Sequence, residues 1–357
     1  MKDQTPDRAE GGVHEPRVLL EDVLSGLQWP RLVRAGAVAL SPQRVLLGTA
    51  AVILLAALGR VNLMWSGEGP SFAEGLAAFG TNLARASWQQ PGEAIASAAL
   101  LPRTLVEGFP VSTFVLGIPM LVVWAIFGGA ISRSAALEIS LRREAGWPAM
   151  LAHGLKYARS SGGAIAIPIV LIGLGYLLLA AGGVALLSLP VVDWIGAALL
   201  SVGLLVGVAA CVLALVIGVG SPMLIPAVAA EGSDAFDAIQ RVLAYVTQRP
   251  LTTVIYGLIA GLSAAIGIAL VYGIVGASTT WTLAAVTEWL SAADAEGVTI
   301  AGDSVPQRIA QVVLSVPLVL ASGYVFSAVH SAGTLWYLVC RRACDRQDVS
   351  ELWDPEP

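Results

Sequence analysis

The sequence predicts an all-α fold: an integral membrane helical bundle of about six transmembrane helices, with short amphipathic in-plane helices on its cytoplasmic side. Three observations predict it. Hydrophobic residues make up 56% of the 357 residues and charged residues only 13%, whereas soluble domains carry about 25% charge. Six stretches nearly free of charge run at about 45–65, 110–131, 164–188, 195–220, 251–276 and 309–338, and about 20 apolar residues suffice to cross a bilayer. Of the 20 Lys and Arg, all but Arg60, Arg85, Arg103 and Arg308 fall on one side of the implied membrane. Cytoplasmic loops carry such an excess.

Each stretch must be helical, because a backbone in hydrocarbon has to satisfy its own hydrogen bonds. The ten-residue alternation of a membrane β-barrel is absent from the sequence. The basic side holds the N-terminal tail, 132–163, 221–250 and the C-terminal tail, so both termini are expected in the cytoplasm and the protein in the cell inner membrane. Residues 1–16 and 347–357 read as disordered tails flanking a single membrane domain, 17–346. The first 40 residues are polar or amphipathic, so no cleavable leader is expected. Spans three and four are joined by a tight turn at 189–194, where Trp194 suits the headgroup level. The sixth stretch is longer than a bilayer needs and carries Pro317, which predicts a kink or tilt and a protruding cytoplasmic end.

The basic-side loops carry their own helices. In 221–250, Ser233 is expected to cap a helix starting at Asp234. Phe236, Ile239, Val242, Leu243 and Val246 follow at helical spacing, and Arg249-Pro250 ends it. Trp147-Pro148 opens a similar helix that Ser160–Gly163 should break before span three. Trp29-Pro30 and Gly36 repeat the spacing of Trp147-Pro148 and Gly154, again ahead of a break at Ser41-Pro42. The chain thus reads as three parallel units of in-plane helix, span, span. On the acidic side, Phe72, Leu76, Phe79 and Leu83 form a helical face that, with Trp88, suits the outer interface or a cap.

Little in the chain points to chemistry. The net charge of −5 gives no footprint for nucleic acid. Cys340 and Cys344 lie one helical turn apart without a His or second Cys pair nearby in sequence, which excludes a zinc-type spacing. Phosphate loops, the GxSxG elbow and HExxH do not occur in context, so neither a cofactor nor an enzymatic activity is expected. His330 is the one ionisable side chain well inside a span and is a candidate functional residue on that ground. A neutral imidazole bonded to a neighbouring carbonyl is the structural alternative. Gly203 and Gly207, Gly257 and Gly261, and Gly323, Ser327 and Ser331 form small-residue faces that allow close helix packing.

The run from Pro226 through Glu231 to Ile239, ending at Arg249-Pro250, resembles a signature of uncharacterised bacterial polytopic membrane proteins. More distantly, it is similar to the membrane domain fused to some glycerophosphodiester phosphodiesterases. The resemblance covers about 30 residues and implies an architecture, a span ending in Pro-x-x-x-x-Glu before a short amphipathic helix. It makes Glu231 a second candidate. The phosphodiesterase barrel itself does not occur in this sequence, so its activity does not carry over. The expected role is a non-enzymatic membrane scaffold or organiser. A transporter or channel for lipids or small amphiphiles is the alternative. The expected partners are membrane lipids, with a second copy or another protein possible through the outer loops.

Overall fold

The computed structural model describes residues 29–62, 64, 71–187, 193–292 and 305–353. The chain forms helices α1 (Trp29–Leu32), α2 (Ala35–Ala39), α3 (Pro42–Asn62), α4 (Phe72–Gln89), α5 (Pro91–Ala99), α6 (Leu101–Gly108) and α7 (Pro110–Val115). It continues through α8 (Gly117–Leu141), α9 (Trp147–Leu187), α10 (Asp193–Glu231), α11 (Ala235–Gln248), α12 (Pro250–Ala292) and α13 (Val305–Asp345). Six helical stretches are long and apolar enough to cross a membrane: Pro42–Asn62, Pro110–Leu141, Trp147–Ala185, Leu199–Glu231, Pro250–Val286 and Arg308–Asp345. The chain is a multi-pass, all-α membrane protein. The tail expected at 1–16 and residues 189–192 of the turn expected at 189–194 lie outside the described residues, and Asp193 and Trp194 begin α10.

Three local expectations are corrected. Ser160–Gly163 does not interrupt the chain; α9 runs unbroken from Trp147 to Leu187. Ser161 is buried there and Gly162 lies against Ala125 of α8, so tertiary packing overrides the weak helix preference of Ser and Gly. The cap of α11 is Asp234 rather than Ser233; its carboxylate accepts from the Asp237 N–H at 2.8 Å. The segment from 347 is not wholly a free tail: Val349 is buried and Leu352 packs against the core, while 354–357 lie outside the described residues. The helix over Phe72–Gln89 forms as expected, started by a capping box between Ser71 and Glu74. Pro250 directly follows Arg249, which ends α11, also as expected.

Pro317 is not alone in lying inside a helix. Pro119 sits in the first turn of α8, where its missing N–H costs nothing. Pro168, Pro222, Pro226 and Pro317 lie in helix interiors. Pro222 removes the N–H that would reach the Gly218 carbonyl, and the Ser221 hydroxyl donates to that carbonyl instead at 3.0 Å. The Pro222 carbonyl, freed in turn by Pro226, faces Gly333 of α13.

The spans are locked together at one end. Beside a smaller cluster that joins α3, α8, the first turns of α9 and Phe326, α2, the end of α8, the end of α10, α11, the start of α12 and the end of α13 share one apolar core. Its members include Met223, Leu224, Val228, Val242, Tyr245, Tyr324 and Tyr337. α11 lies against the bundle, burying Ala235, Ala238, Ile239, Val242, Tyr245 and Val246 and leaving Phe236 exposed. Glycines allow the closest approaches: Gly36 to Gly267, Gly154 to the Ile126 carbonyl, and Gly48 to Gly323. The opposite halves are open. Among the described residues, none is buried in 173–185, 199–213, 265–286 or 308–320. α5 and α6 rest on this open hairpin, with Ala99 clustered with Ile172 and Ala214 and with Pro102 against Gly173.

A Cβ added to Gly323 would stand 2.6 Å from Thr49 N and 2.7 Å from Thr49 Cα, and backbone cannot step aside. Gly323→Val should therefore cost about 1–3 kcal/mol, read as a lower thermal midpoint of the protein in detergent. Gly276→Val, which meets nothing within 4 Å, should leave the midpoint unchanged.

Candidate functional site at the closed end

Three arginines that the sequence offers only as topology markers are buried here. Arg44, Arg133 and Arg341 are 1%, 2% and 1% exposed. A buried guanidinium costs several kcal/mol unless paired and hydrogen-bonded, so its partners define the local structure. Arg44, in the first turn of α3, donates to the Val38 carbonyl and to Glu138 of α8, with Ser134 at 3.4 Å. That ties the short N-terminal helices to the second span. Arg133 donates to the Trp353 carbonyl at 2.7 Å and lies 3.5 Å from the Ala229 carbonyl.

Glu231 is the hub of the third station. It ends α10, where Gly232 takes φ +63° and donates its N–H to the Val228 carbonyl, an αL helix end that suits glycine. Arg341 Nη1 reaches Glu231 Oε1 at 2.5 Å and the Tyr337 hydroxyl donates to the same oxygen at 3.2 Å. Arg241 of α11 lies 3.6 Å from Oε2 and is also paired with Asp237 at 3.1 Å. One carboxylate therefore joins α10, α11 and α13. Close by, the Tyr245 hydroxyl donates to Asp345. Burial pushes the Tyr245 hydroxyl far above its ordinary range, with Tyr337 and Asp345 adding to it, so it remains a proton donor.

The C-terminal segment crosses this surface as a strap. Arg346, at φ +59°, turns the chain back from α13. Arg341 Nη2 then donates to the Asp348 carbonyl at 3.0 Å and to the Glu351 carbonyl. Arg342 pairs with the Asp348 side chain at 3.3 Å. The Trp353 ring lies over Gly232, edge-on to Tyr157 at 6.0 Å and 5.9 Å from the Arg133 guanidinium. A Cβ at Gly232 would stand 2.5 Å from that ring, a second reason for glycine there.

His330 is elsewhere. It is 4% exposed on α13, within an aromatic box of Trp124 and Phe326 at 5.3 and 4.7 Å, with its ring against Gly128. Its backbone carbonyl accepts from Thr334 at 2.7 Å. The small residues divide. Gly257 lies under the Trp336 indole, Gly323 abuts Thr49, and Gly203 approaches Leu179. Ser327 donates to the Ala39 carbonyl at 2.8 Å, and Ser331 is fully buried. Gly207 and Gly261 meet no atom within 4 Å and face the open side. Among the described residues no cluster of three or more His, Cys, Asp or Glu could hold a metal ion.

The site joins Glu231 to Arg341 and Tyr337 and, through the strap, to Arg133 and Trp353, while Arg44 holds a separate cluster with Glu138; the sequence singled out none of these partners. The arginines sit at the ends of apolar runs, the only signal that could have found them. Chemically the arrangement is an ion-pair and hydrogen-bond network in which the Nη atoms are engaged while Nε of Arg44 and of Arg341 is buried without a hydrogen-bond partner. It can hold helices in register and seat a peptide or an anion. No family model, curated protein or solved structure matches the chain.

Removing one partner of a buried pair costs about 3–5 kcal/mol, while an apolar replacement of both is often neutral. Glu231→Gln should thus strongly lower the thermal midpoint, and the double variant E231M/R341M should recover much of the loss. Asp348 has a depressed pKa from the N–H and hydroxyl of Ser350, with Arg342 and Arg31 contributing. Because the folded value lies below the unfolded one, its contribution is complete at neutral pH. It is lost as pH falls through that depressed value. Hydroxyl-radical footprinting of Trp353 should be flat between about pH 6 and 8 and rise in acid below the ordinary carboxylate range.

Proposed function

We propose that the protein is a non-enzymatic membrane organiser: a rigid closed end from which apolar spans open to hold lipid chains or the spans of partners. One observation carries this reading. The same helices that share a tight core at one end bury no described residue through 199–213, 265–286 and 308–320. In the best apolar window, 6% and 11% of residues are buried in spans four and five, against 39% and 33% in spans two and six. Spans two and six are central, and spans four and five present their surface outward. Shallow apolar grooves line this side, one between Ile95 and Leu204, Val208 and Val212, another between Leu54, Leu58 and Val61 and Ile118, Pro119 and Val122. Acyl chains fit such surfaces without a polar headgroup site at mid-depth.

The closed end supports the role of a platform. Arg44, Arg241, Arg341 and Arg342 are paired with carboxylates there, and Arg133 is held by main-chain carbonyls. With the basic excess on this end, we place it and both termini in the cytoplasm and the protein in the inner membrane. Cys344 is partly exposed there, whereas Cys340 is buried. In a variant lacking Cys211, membrane-impermeant thiol labelling of Cys344 should succeed from the cytoplasmic face. Labelling only from outside would reverse the orientation.

Native mass spectrometry of the protein in mild detergent should show retained phospholipids or a second copy. In reconstituted vesicles, the transbilayer movement of a fluorescent phospholipid should match that of protein-free vesicles. Faster movement would replace this reading by lipid transport.

A further inference from the structure

We propose that residues 346–353 occupy a seat for a phosphate-bearing anion, so that the strap and the anion compete for Arg133 and Arg341. This goes beyond the organiser role and holds whichever task the spans perform.

The seat is built. Two guanidiniums, 2% and 1% exposed, point donors at it. Arg341 divides its work: Nη1 faces Glu231, while Nη2 faces the carbonyls of Asp348 and Glu351. Arg133 Nη1 faces the Trp353 carbonyl. Arg341 Nη2 thus faces main-chain oxygens of a peripheral segment, and Arg133 Nη1 reaches another carbonyl of the same segment. A neutral carbonyl is a weaker acceptor for a guanidinium than an anionic oxygen. Guanidinium forks match the oxygens of phosphate in geometry as well as charge.

Charge and depth agree with this. Arg31 and Arg342 act on Asp348 from the rim of the seat. The strap is acidic, with Asp348 and Glu351 and, beyond the described residues, Asp354 and Glu356. An acidic segment on an arginine-rimmed seat has the form of an internal substitute for an anion. Arg133 and Arg341 follow directly on the apolar runs that end near 131 and 338, the depth at which lipid phosphates lie and basic residues recruit anionic headgroups. Release of the strap alone would leave buried guanidinium donors without acceptors, a costly state. Exchange for an anion avoids that state, which makes the strap displaceable by a ligand and otherwise held.

Val349, 3% exposed within the seated strap, reports its position. The full chain carrying V349C, with Cys211, Cys340 and Cys344 replaced by Ala, is placed in nanodiscs. The discs are phosphatidylcholine alone, the same with inorganic phosphate, or phosphatidylcholine with phosphatidylglycerol. An anion that binds only the released form raises its population in proportion to saturation, about tenfold at about ten times its dissociation constant. Thiol labelling should rise accordingly with phosphatidylglycerol. A rise with inorganic phosphate in phosphatidylcholine discs would assign the same seat to a free anion. Unchanged labelling with both overturns the proposal. Hydrogen exchange at the amides of 349–353 in the unmodified protein, in the same discs, gives the same decision should V349C fail to fold. Trp353→Ala should expose the segment in every disc and remove its response to the anion.

Discussion

The rest of the closed end depends on a single constraint: guanidinium groups taken out of water must find acceptors for their charge. Arg341 and Arg133 meet it by drawing in groups from distant parts of the chain. Glu231 comes from the end of the fourth span, the Ala229 carbonyl from the turn before it, and the Asp348, Glu351 and Trp353 carbonyls from the C-terminal strap. A buried pair of this kind adds little net stability, but breaking it is expensive. Its effect is to select one arrangement of helices from the many that six apolar cylinders could adopt.

Close backbone packing then does what the hydrophobic effect cannot do between lipid-exposed helices. Within a bilayer, association rests on dispersion and on the few polar contacts available. Gly48 against Gly323, Gly36 against Gly267, and Gly333 against the Pro222 carbonyl bring main chains into contact at the closed end. Tyr324 and Ser327 of α13 donate to the carbonyls of Gly36 and Ala39, at 3.0 and 2.8 Å. Trp336 donates to the Thr253 carbonyl at 2.9 Å. The first two join the N-terminal α2 to the last span, and the third joins the start of the fifth span to it. In the outward halves such contacts are local, as where Ser112 donates to Asn62 at 2.7 Å, and 199–213 and 308–320 bury none of their described residues. A rigid end and an open end thus arise from one uneven distribution of small and polar residues.

Much of the fold was legible. Length without charge marks the spans, and the stop at Arg249-Pro250 marks the end of α11, while its cap falls one residue later than the expected Ser233. The helical face at Phe72 and Leu76 marks α4. Ser160–Gly163 misled because propensity acts locally while Ser161 and Gly162 are held by α8. Glu231 was legible as a candidate only through a short resemblance, and nothing local showed that it faces two arginines. Arg44, Arg133 and Arg341 read as topology charges because hydropathy counts a charge at a span edge without saying which way it points. The strap was illegible for a related reason. Val349, Leu352 and Trp353 form no periodic pattern, and their partners lie on other helices.

The sequence by itself determined the solvent and the number of spans, since these follow from composition within some 20 residues. Tertiary structure alone decided which ends of the helices lock together and which glycines touch a neighbour, as Gly323 does and Gly261 does not. It also decided that Glu231 stands at a charged crossroads. Those outcomes depend on the rotation of each helix about its axis. That angle is set by contacts between residues as far apart as Arg133 and Trp353, and no local pattern encodes it.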